Sequence, residues 1–390
     1  MTVRRVLCLA VGYWVMLHAA ARIVAQTPAA PPDTVPPAVD YLVFVASEGN
    51  DRIALVRFGG AGARVERATK IGRNPTEPVG PHGIALSPDG RSYFVSTAHG
   101  FPNGALWKFS TVGDSLQGSV TLGAFPATVQ ISPDGLYAYV VNFNLHGAMK
   151  PSSVSVVYVD DMAEVARITT CVMPHGSRFN AKGTKHYSVC MMDDALVEID
   201  TRTMSVSRRF TLGKGSEHGM AGAPGSGHGA HDMGATAQHG GGSCSPTWAQ
   251  PSADGRRVFV ACSKANDVVE VDVAAWALTR RLPAGDGVYN LAATRDGRLL
   301  VGTNKRGRSV SVIDLATGKE LAKVATARQL PSGVAISGDD RYAFVTVEGV
   351  GAEPGTVEVI DLRTLEPVAT VDVGQQAGGI VFWKTEPAAR

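Results

Sequence analysis

The sequence lacks the motifs that mark several enzyme classes. It contains no Gly-x-Ser-x-Gly nucleophile elbow, no His-Glu-x-x-His zinc motif and no Cys-x-x-Cys-His haem-attachment motif. No segment shows long helical periodicity, so we expect little helix. The formal net charge is +2 and no long run of Lys or Arg occurs, so we expect no nucleic-acid partner. The 44 glycines and 22 prolines instead fit a fold rich in turns.

One short pattern recurs along the chain: an apolar run, a turn of the Ser-Pro-Asp-Gly type, and a second apolar run. The clearest copy spans residues 80–97. Proline and glycine favour a tight turn, and β-branched and aromatic residues favour strands, so each copy predicts a hairpin. The turn positions recur 42 to 48 residues apart, with one step of 72, at Asp89, Asp134, Lys182, Asp254, Asp296 and Asp339.

A second apolar segment repeats in phase with the first and predicts a third strand in each unit. It occurs seven times, at residues 51–56, 105–109, 154–159, 195–200, 268–272, 310–314 and 357–361. A repeat of this length predicts an all-β, seven-bladed β-propeller over residues 40–385, with four-stranded antiparallel blades. We expect the N-terminal strand, near 41–45, to complete the blade begun by residues 380–383 and so to close the ring.

Three features resemble a known family. The run Tyr139-Val140-Val141-Asn142, the Ser-Pro-Asp-Gly turns and the Val-Ser-Val-Ile-Asp segment at 310–314 are similar to the YVTN repeat, or YncE-like, seven-bladed β-propellers. The resemblance covers about residues 40–384 and implies the same fold. It implies little about activity, because propellers host many unrelated functions.

The N-terminus resembles an export signal. Residues 1–25 combine Arg4 and Arg5 with an apolar core and a plausible cleavage site before Gln26, which predicts a cleaved signal peptide; an uncleaved membrane anchor is the alternative. A Pro/Ala-rich linker follows at 26–39. We therefore expect a periplasmic or secreted monomer with no membrane span after cleavage.

The four cysteines beyond the signal predict two disulfides. The first two strands of a blade are antiparallel neighbours, so Cys171 is expected beside Cys190 and Cys244 beside Cys262 in an exported chain. The open alternative is a thiolate copper site made by Cys190, Cys262, Met191 and His175.

The long step between turns contains an inserted loop at 213–243. It is rich in Gly and carries His218, Met220, His228, His231, Met233 and His239. Imidazole and thioether together favour copper, so the segment predicts copper binding; a glycine-rich surface loop with incidental histidines is the alternative.

Two histidines occupy equivalent Pro-His-Gly positions, where inner strands begin near the central channel. His82 and His175 are therefore candidate ligands of a metal or substrate, or else polar residues that line the channel. Further candidates on the same face are His99, His146, Met191 and Met192. No histidine follows His239, so we expect the polar functional groups of this face to be concentrated on the first four blades and the insert.

These observations favour an exported, non-enzymatic binding protein that handles copper and serves as a platform for a small ligand or an unknown periplasmic protein. The alternative is a propeller enzyme, either a lactonase-like hydrolase or a copper oxidoreductase, with its site at the channel. No catalytic residue is assigned from the sequence.

Overall fold

The computed structural model describes residues 36–72, 74, 76–99, 103–221 and 242–388. Within these ranges the chain forms strands and one short 3-10 helix, Glu48–Asn50. No helix among the described residues is long and apolar enough to cross a membrane. The predicted signal peptide and most of the predicted linker lie outside the described residues.

The strands, numbered in chain order, are β1 (Val39–Ser47), β2 (Arg52–Gly59), β3 (Gly62–Lys70), β4 (Pro81–Leu86), β5 (Ser92–Thr97), β6 (Ala105–Ser110), β7 (Leu116–Thr121), β8 (Pro126–Ile131), β9 (Tyr137–Asn142), β10 (Pro151–Tyr158), β11 (Ala163–Val172), β12 (Pro174–Phe179), β13 (Lys185–Cys190), β14 (Ala195–Asp200), β15 (Ser205–Thr211), β16 (His218–Ala221), β17 (Pro246–Pro251), β18 (Arg257–Cys262), β19 (Asp267–Asp272), β20 (Ala277–Pro283), β21 (Val288–Ala293), β22 (Leu299–Asn304), β23 (Ser309–Asp314), β24 (Glu320–Ala325), β25 (Pro331–Ile336), β26 (Tyr342–Val347), β27 (Thr356–Asp361), β28 (Glu366–Asp372) and β29 (Ala377–Pro387).

These strands form seven antiparallel sheets, which we call blades. Blades 1 and 2 are β4–β7 and β8–β11, blade 3 is β12–β16, and blades 4, 5 and 6 are β17–β20, β21–β24 and β25–β28. Blade 7 has the order β29-β1-β2-β3. The first strand of each blade contacts the first strand of the next blade around the channel. The predicted seven-bladed β-propeller is confirmed.

The ring closes as the sequence predicts. In blade 7 the N-terminal strand β1 pairs with the C-terminal strand β29, with Val43 opposite Phe382 and Phe44 opposite Val381. The Tyr41 hydroxyl also donates to Asp339 Oδ2 of blade 6 at 2.7 Å. Pairing of the two ends leaves no inner strand without a neighbour and so removes a free sheet edge.

The repeated turns hold each inner hairpin. In blade 1 the Ser87 hydroxyl donates to Asp89 Oδ1 at 2.6 Å, and the Gly90 amide donates to the Ser87 carbonyl at 2.9 Å. Gly90 has φ +68°, which suits glycine. The regular recurrence of Asp at the turn positions therefore reflects turn structure.

The core lies between adjacent blades. Blades 1 and 2, for example, bury Phe94 and Leu106 against Val129 and Val140. Burial of one such side chain contributes about 1.5–3 kcal/mol. Because both faces of the inner two strands are covered, their sequences are nearly continuous apolar runs.

Both predicted disulfides form. Cys171–Cys190 has a Cα–Cα distance of 5.8 Å and Cys244–Cys262 one of 4.5 Å. One placement differs from the expectation, because Cys171 lies in β11, the outer strand of blade 2. That disulfide therefore joins two blades, whereas Cys244–Cys262 lies where blade 4 begins. The alternative thiolate copper site is excluded while these four sulfurs are oxidised.

The predicted insert is described only at its two ends. Residues 218–221 form β16, which pairs with β15 as a fifth strand of blade 3, so this part is a strand and not the expected loop. The Lys214 amide donates to the Gly242 carbonyl at 2.9 Å, which ties the two ends together. Residues 222–241 lie outside the described chain.

Candidate functional site

Two sets of equivalent positions surround one end of the channel. The first set is the second residue of each inner strand: His82, Ala127, His175, Thr247, Tyr289, Ser332 and Gly378. The second set is the residue that follows the second strand of each blade: Glu48, Ala98, Phe143, Met191, Ser263, Lys305 and Glu348. We call this end, which carries His82 and His175, the His mouth.

A left-handed residue precedes the inner strand in all seven blades. Its φ lies between +46° and +66° at Gly80 and at five non-glycine positions and is +69° at Gly287. The non-glycine members are Phe125, Met173, Ser245, Leu330 and Gln376. This conformation is strained for a side-chain-bearing residue, typically by about 1–3 kcal/mol, and it turns the chain into the channel.

Glu48 holds two histidines at the His mouth. Its Oε2 lies 2.7 Å from Nδ1 of His82, and its Oε1 lies 3.1 Å from Nε2 of His99. Burial would raise the pKa of Glu48, but the hydrogen bonds and charges of the two imidazoles hold it below its ordinary value. The ionised carboxylate favours a proton on His82 Nδ1, which leaves Nε2 as the basic nitrogen.

His175 has a different environment, because both of its ring nitrogens are occupied. Nδ1 donates to the Thr247 carbonyl at 2.8 Å, and Nε2 accepts from the Tyr289 hydroxyl at 3.1 Å. The ring is 2% exposed, and burial lowers its pKa to about 3. His175 is therefore neutral and cannot bind a metal without breaking one of these bonds.

The bond from His175 belongs to a series that links the blades. At five other junctions a hydroxyl donates to the carbonyl of the channel-facing residue on the next blade, at 2.7–3.0 Å. The donors are Ser96, Thr128, Thr247, Thr303 and Thr346. At the junction of blades 3 and 4 the imidazole of His175 replaces the hydroxyl, so this side chain is part of the ring's structure.

The blades without histidine supply the other polar groups of the His mouth. The Lys305 ammonium lies 2.6 Å from Glu348 Oε1 and 4.4 Å from the centre of the Tyr289 ring. Burial would lower the pKa of Lys305, but Tyr289 and Glu348 raise it overall. Burial raises the pKa of Tyr289. Lys305 is therefore charged at neutral pH, and Tyr289 is a neutral hydroxyl donor.

Aromatic side chains form the wall of blades 1 to 3. Phe125 lies 5.5 Å from the His82 ring and 5.6 Å from the exposed His146 ring, measured between ring centres. Met191 packs partly buried against the cluster of Phe125 and Phe143, and Met192 is exposed. The His mouth thus has an apolar side and a charged side.

The structure brings most of the predicted channel residues together at one mouth. His82 and His175 lie 6.3 Å apart between ring centres, and His99 shares the carboxylate of Glu48 with His82. We expected the polar groups of this face to be confined to the blades that carry histidine. That expectation is wrong in one respect, because Tyr289, Lys305 and Glu348 supply polar groups from blades 5 and 6. Histidine count alone could not reveal these groups.

The predicted metal ligands of the insert do not join this site. His218 and Met220 lie on β16, the outermost strand of blade 3, whereas His175 lies on the innermost strand. Four strand spacings separate them, or roughly 19 Å. His228, His231, Met233 and His239 lie outside the described residues. Among those that are described, no group of three or more His, Cys, Asp or Glu is placed to hold a metal ion.

Sequence reasoning missed Glu48, Lys305 and Glu348. A positional signal for them exists, since each directly follows the second strand of its blade, as Met191 does. Tyr289 lies at the position equivalent to His82 and His175, and the sequence analysis assigned it no role. Comparison of equivalent positions across all blades, without regard to residue type, would have found all four.

The fold defines the chain as a seven-bladed β-propeller. None of the family models matches it, and no curated protein matches it either. Among solved structures, hydrazine synthase from Kuenenia stuttgartiensis is similar at 18% identity over 80% of this chain and 91% of that chain, with a TM-score of 0.60.

Two further solved structures have names that mention lactonases. The periplasmic gluconolactonase PpgL from Pseudomonas aeruginosa is 18% identical over 88% of this chain and 99% of that chain, with a TM-score of 0.64. A putative 6-phosphogluconolactonase from Bacteroides uniformis is 14% identical with the same coverages and a TM-score of 0.63. At these identities the likeness shows the fold alone.

Proposed function

We propose that the chain is an exported propeller hydrolase that opens a small lactone or ester at the His mouth. One observation carries the proposal: Glu48 holds His82 through Nδ1 at 2.7 Å, while His82 Nε2 makes no hydrogen bond within the described chain. A carboxylate-oriented imidazole with a free nitrogen on a solvent-accessible surface is suited to act as a general base.

In this proposal His82 Nε2 accepts a proton from water as the oxygen attacks the carbonyl carbon of the substrate. The tetrahedral oxyanion is stabilised by the positive charge of Lys305, whose ammonium lies at the same mouth, 4.4 Å from the centre of the Tyr289 ring. The imidazolium of His82, stabilised by Glu48, then returns the proton to the leaving alkoxide as the C–O bond breaks. The product is a hydroxy acid from a lactone, or an acid and an alcohol from an ester.

The lactonase names of two structural neighbours are compatible with this proposal, and the resemblance to YncE-like propellers stays part of it. The two disulfides support an oxidising compartment such as the periplasm. The proposed location and the proposed family do not depend on the chemistry at His82.

The test measures hydrolysis of glucono-δ-lactone and p-nitrophenyl acetate by the full-length processed protein. We expect His82→Gln to lower kcat/KM by on the order of 100-fold, and Glu48→Gln by roughly 10-fold, because the base and its orientation are lost. His146→Gln is the matched control, since it lies exposed on the same mouth, and it should retain activity. Full activity in His82→Gln, or no acceleration of either substrate by wild type, would refute the proposal.

A second candidate function is copper binding by the insert. His218 and Met220 are two residues apart on β16, so their side chains lie on the same face of an exposed strand. The His218 Nδ1 bonds the Ser216 carbonyl at 2.8 Å, which leaves Nε2 for a metal. An imidazole and a thioether at this spacing favour Cu(I).

Calorimetric titration with Cu(I) and Cu(II) tests the copper proposal. Deletion should remove only residues 222–241, because Glu217 pairs with Arg281 of blade 4 and β16 is part of blade 3. We expect the deletion combined with His218→Ala and Met220→Leu to abolish Cu(I) binding, and His186→Phe, a change inside the fold, to retain it. Equal stoichiometry in wild type and the combined variant would contradict copper binding here.

A further inference from the structure

The end of the channel opposite the His mouth holds a cavity of about 330 Å³, compared with about 50 Å³ beneath the His mouth. It is lined by the residue three positions after each channel-facing residue of the His mouth: Ala85, Gln130, Arg178, Gln250, Ala292, Ala335 and Val381. A register shift near the start of most inner strands, such as that between Pro81 and Ile84, lets both positions face the channel. We call this end the Arg mouth.

Arg178 places a positive charge in this cavity. Its guanidinium lies 4.5 Å from the ring centre of Trp248, and one nitrogen donates to the Ser177 carbonyl at 3.0 Å. No carboxylate in the described chain forms an ion pair with it, and burial lowers its pKa to about 10. By contrast, the buried Arg57 and the half-buried Arg281 each pair with carboxylates. Arg178 is half-buried, and a partly desolvated charge is costly unless a counter-ion accompanies it.

Two carboxamides flank Arg178 on the neighbouring blades. Gln130 Nε2 donates to the Val129 carbonyl at 2.7 Å, and Gln250 Nε2 donates to the Pro251 carbonyl at 2.9 Å. Each amide has a second N–H to offer, and a guanidinium has five. Blades 2, 3 and 4 therefore present an arc of donors with a single net positive charge.

Most of the remaining wall is apolar, and its other polar side chains are Arg295, Ser337 and Asp340. Ala292, Ala335 and Val381 face the arc from blades 5, 6 and 7. The carboxylate of Asp340 also lines the cavity, but it accepts the backbone amides of Arg295 and Asp296 at 2.8 and 3.0 Å. Both oxygens of this carboxylate are therefore engaged by the turn of blade 5.

We propose that the Arg mouth binds a small organic carboxylate whose charged end pairs with Arg178. The carboxamides of Gln130 and Gln250 complete the donor arc, and the apolar body of the ligand rests against the alanine and valine wall. The cavity lies at the small end of the range for ligand pockets, so the ligand is a compact one. The space toward the His mouth is only about 50 Å³, so the ligand enters and leaves through the Arg mouth. This site goes beyond hydrolysis at His82 and stands independently of it.

The test uses calorimetry with benzoate on the full-length processed protein, with acetate and glutarate as further carboxylates. Benzamide is the neutral isostere, and inorganic phosphate is the alternative anion. We expect one benzoate site in wild type that weakens as salt rises, no benzamide binding, and at least a tenfold loss of benzoate affinity in Arg178→Gln. Arg91→Gln, which removes an exposed positive charge on the turn between β4 and β5, should bind benzoate as wild type does.

A thermal melt gives a second measurement that does not rely on heats of binding. Benzoate should raise the Tm of wild type and of Arg91→Gln but not that of Arg178→Gln, because a ligand stabilises only a protein that binds it. If Arg178→Gln does not fold, Arg178→Lys takes its place, with weakened binding expected because the planar fork is lost.

Three outcomes would overturn the proposal. They are equal benzoate affinity in wild type and the Arg178 variant, equal binding of benzamide and benzoate, and no binding of any of the three carboxylates. Binding of phosphate without any carboxylate would overturn the assignment of the ligand class. None of these results bears on lactone or ester hydrolysis, so failure here is distinguishable from failure of the proposed function.

Discussion

Blades 1 and 3 begin with the same tripeptide, Pro-His-Gly, yet their two histidines have different environments. His82 is partly exposed, pairs with a carboxylate and has one nitrogen without a hydrogen bond in the described chain, whereas His175 is buried with both nitrogens bonded to neighbouring blades. The difference teaches that a repeat position specifies where a side chain lies but not what it does. The neighbouring blade decides that.

The neighbours explain the contrast. Beside His82 lies the start of the short helix of blade 7, where Glu48 offers an acceptor at the surface. Beside His175 lie the Thr247 carbonyl, which accepts a hydrogen bond from Nδ1, and the Tyr289 hydroxyl, which donates one to Nε2. Both bonds are shielded from water because the ring is buried. The first imidazole is available for chemistry, and the second joins blades 3, 4 and 5.

The largest expected difference between the two histidines is in stability, and it is tested by removing each imidazole and measuring the free energy of unfolding. We expect His175→Ala to lower the free energy of unfolding by about 3 kcal/mol, because it leaves a cavity and two buried polar groups without partners. His82→Ala should cost less than about 1 kcal/mol, since its site is partly exposed. Urea unfolding monitored by circular dichroism gives both values.

His175→Thr serves as the matched control for this prediction. Thr247 occupies the equivalent position in blade 4 and links to the Tyr289 carbonyl through its hydroxyl at 2.7 Å. The threonine variant should therefore recover part of the stability that the alanine variant loses. Equal destabilisation by His82→Ala and His175→Ala would show that the two histidines do not differ in structural role.

A smaller effect, on pH dependence, sharpens the comparison. Burial lowers the pKa of His175 and of His186 to about 3, whereas an unfolded imidazole titrates near about 6.5. As the pH falls below this value the unfolded chain binds protons that the native state does not, so stability is lost progressively toward pH 3. Each buried ring should cost about 1.6 kcal/mol between pH 6.5 and pH 5.

His186→Phe isolates one of these contributions. Its ring packs 4.8 Å from Phe179 and 4.9 Å from Tyr139, and neither nitrogen has a hydrogen-bond partner in the described chain. The variant should be more stable than wild type at pH 5 and should lose less stability between pH 7 and pH 5. His146→Asn, at an exposed site, should leave the pH dependence unchanged. An identical pH profile in His186→Phe would show that burial does not suppress protonation there.

The fold was accessible from the sequence because propeller repeats are local. Each hairpin turn, such as that at Asp89, and each apolar strand is specified by adjacent residues, and the period counts the blades. The cysteine pairs were also predictable, although Cys171 proved to lie on the preceding blade. Closure by β1 and β29 followed from the phase of the repeat.

The candidate sites were predictable only in part. The equivalent positions of His82 and His175 follow from the repeat, as does their common mouth. The partners that give them different chemistry, Glu48 and Tyr289, come from blades 7 and 5 and are distant in sequence. Arg178 showed no signal in the sequence, because what distinguishes this arginine is that no carboxylate of the described chain forms an ion pair with it.

The amino-acid sequence by itself determined the seven blades, their turns, the closure of the ring and the positions that face the channel, because these depend on short-range patterns repeated at a fixed period. Only the tertiary structure decided which channel residues are held by hydrogen bonds on both sides, as His175 is, which keep a nitrogen available, as His82 does, and which charge forms no ion pair, as at Arg178. Those properties depend on burial and on contacts between blades, and both arise only when distant segments converge around a common axis.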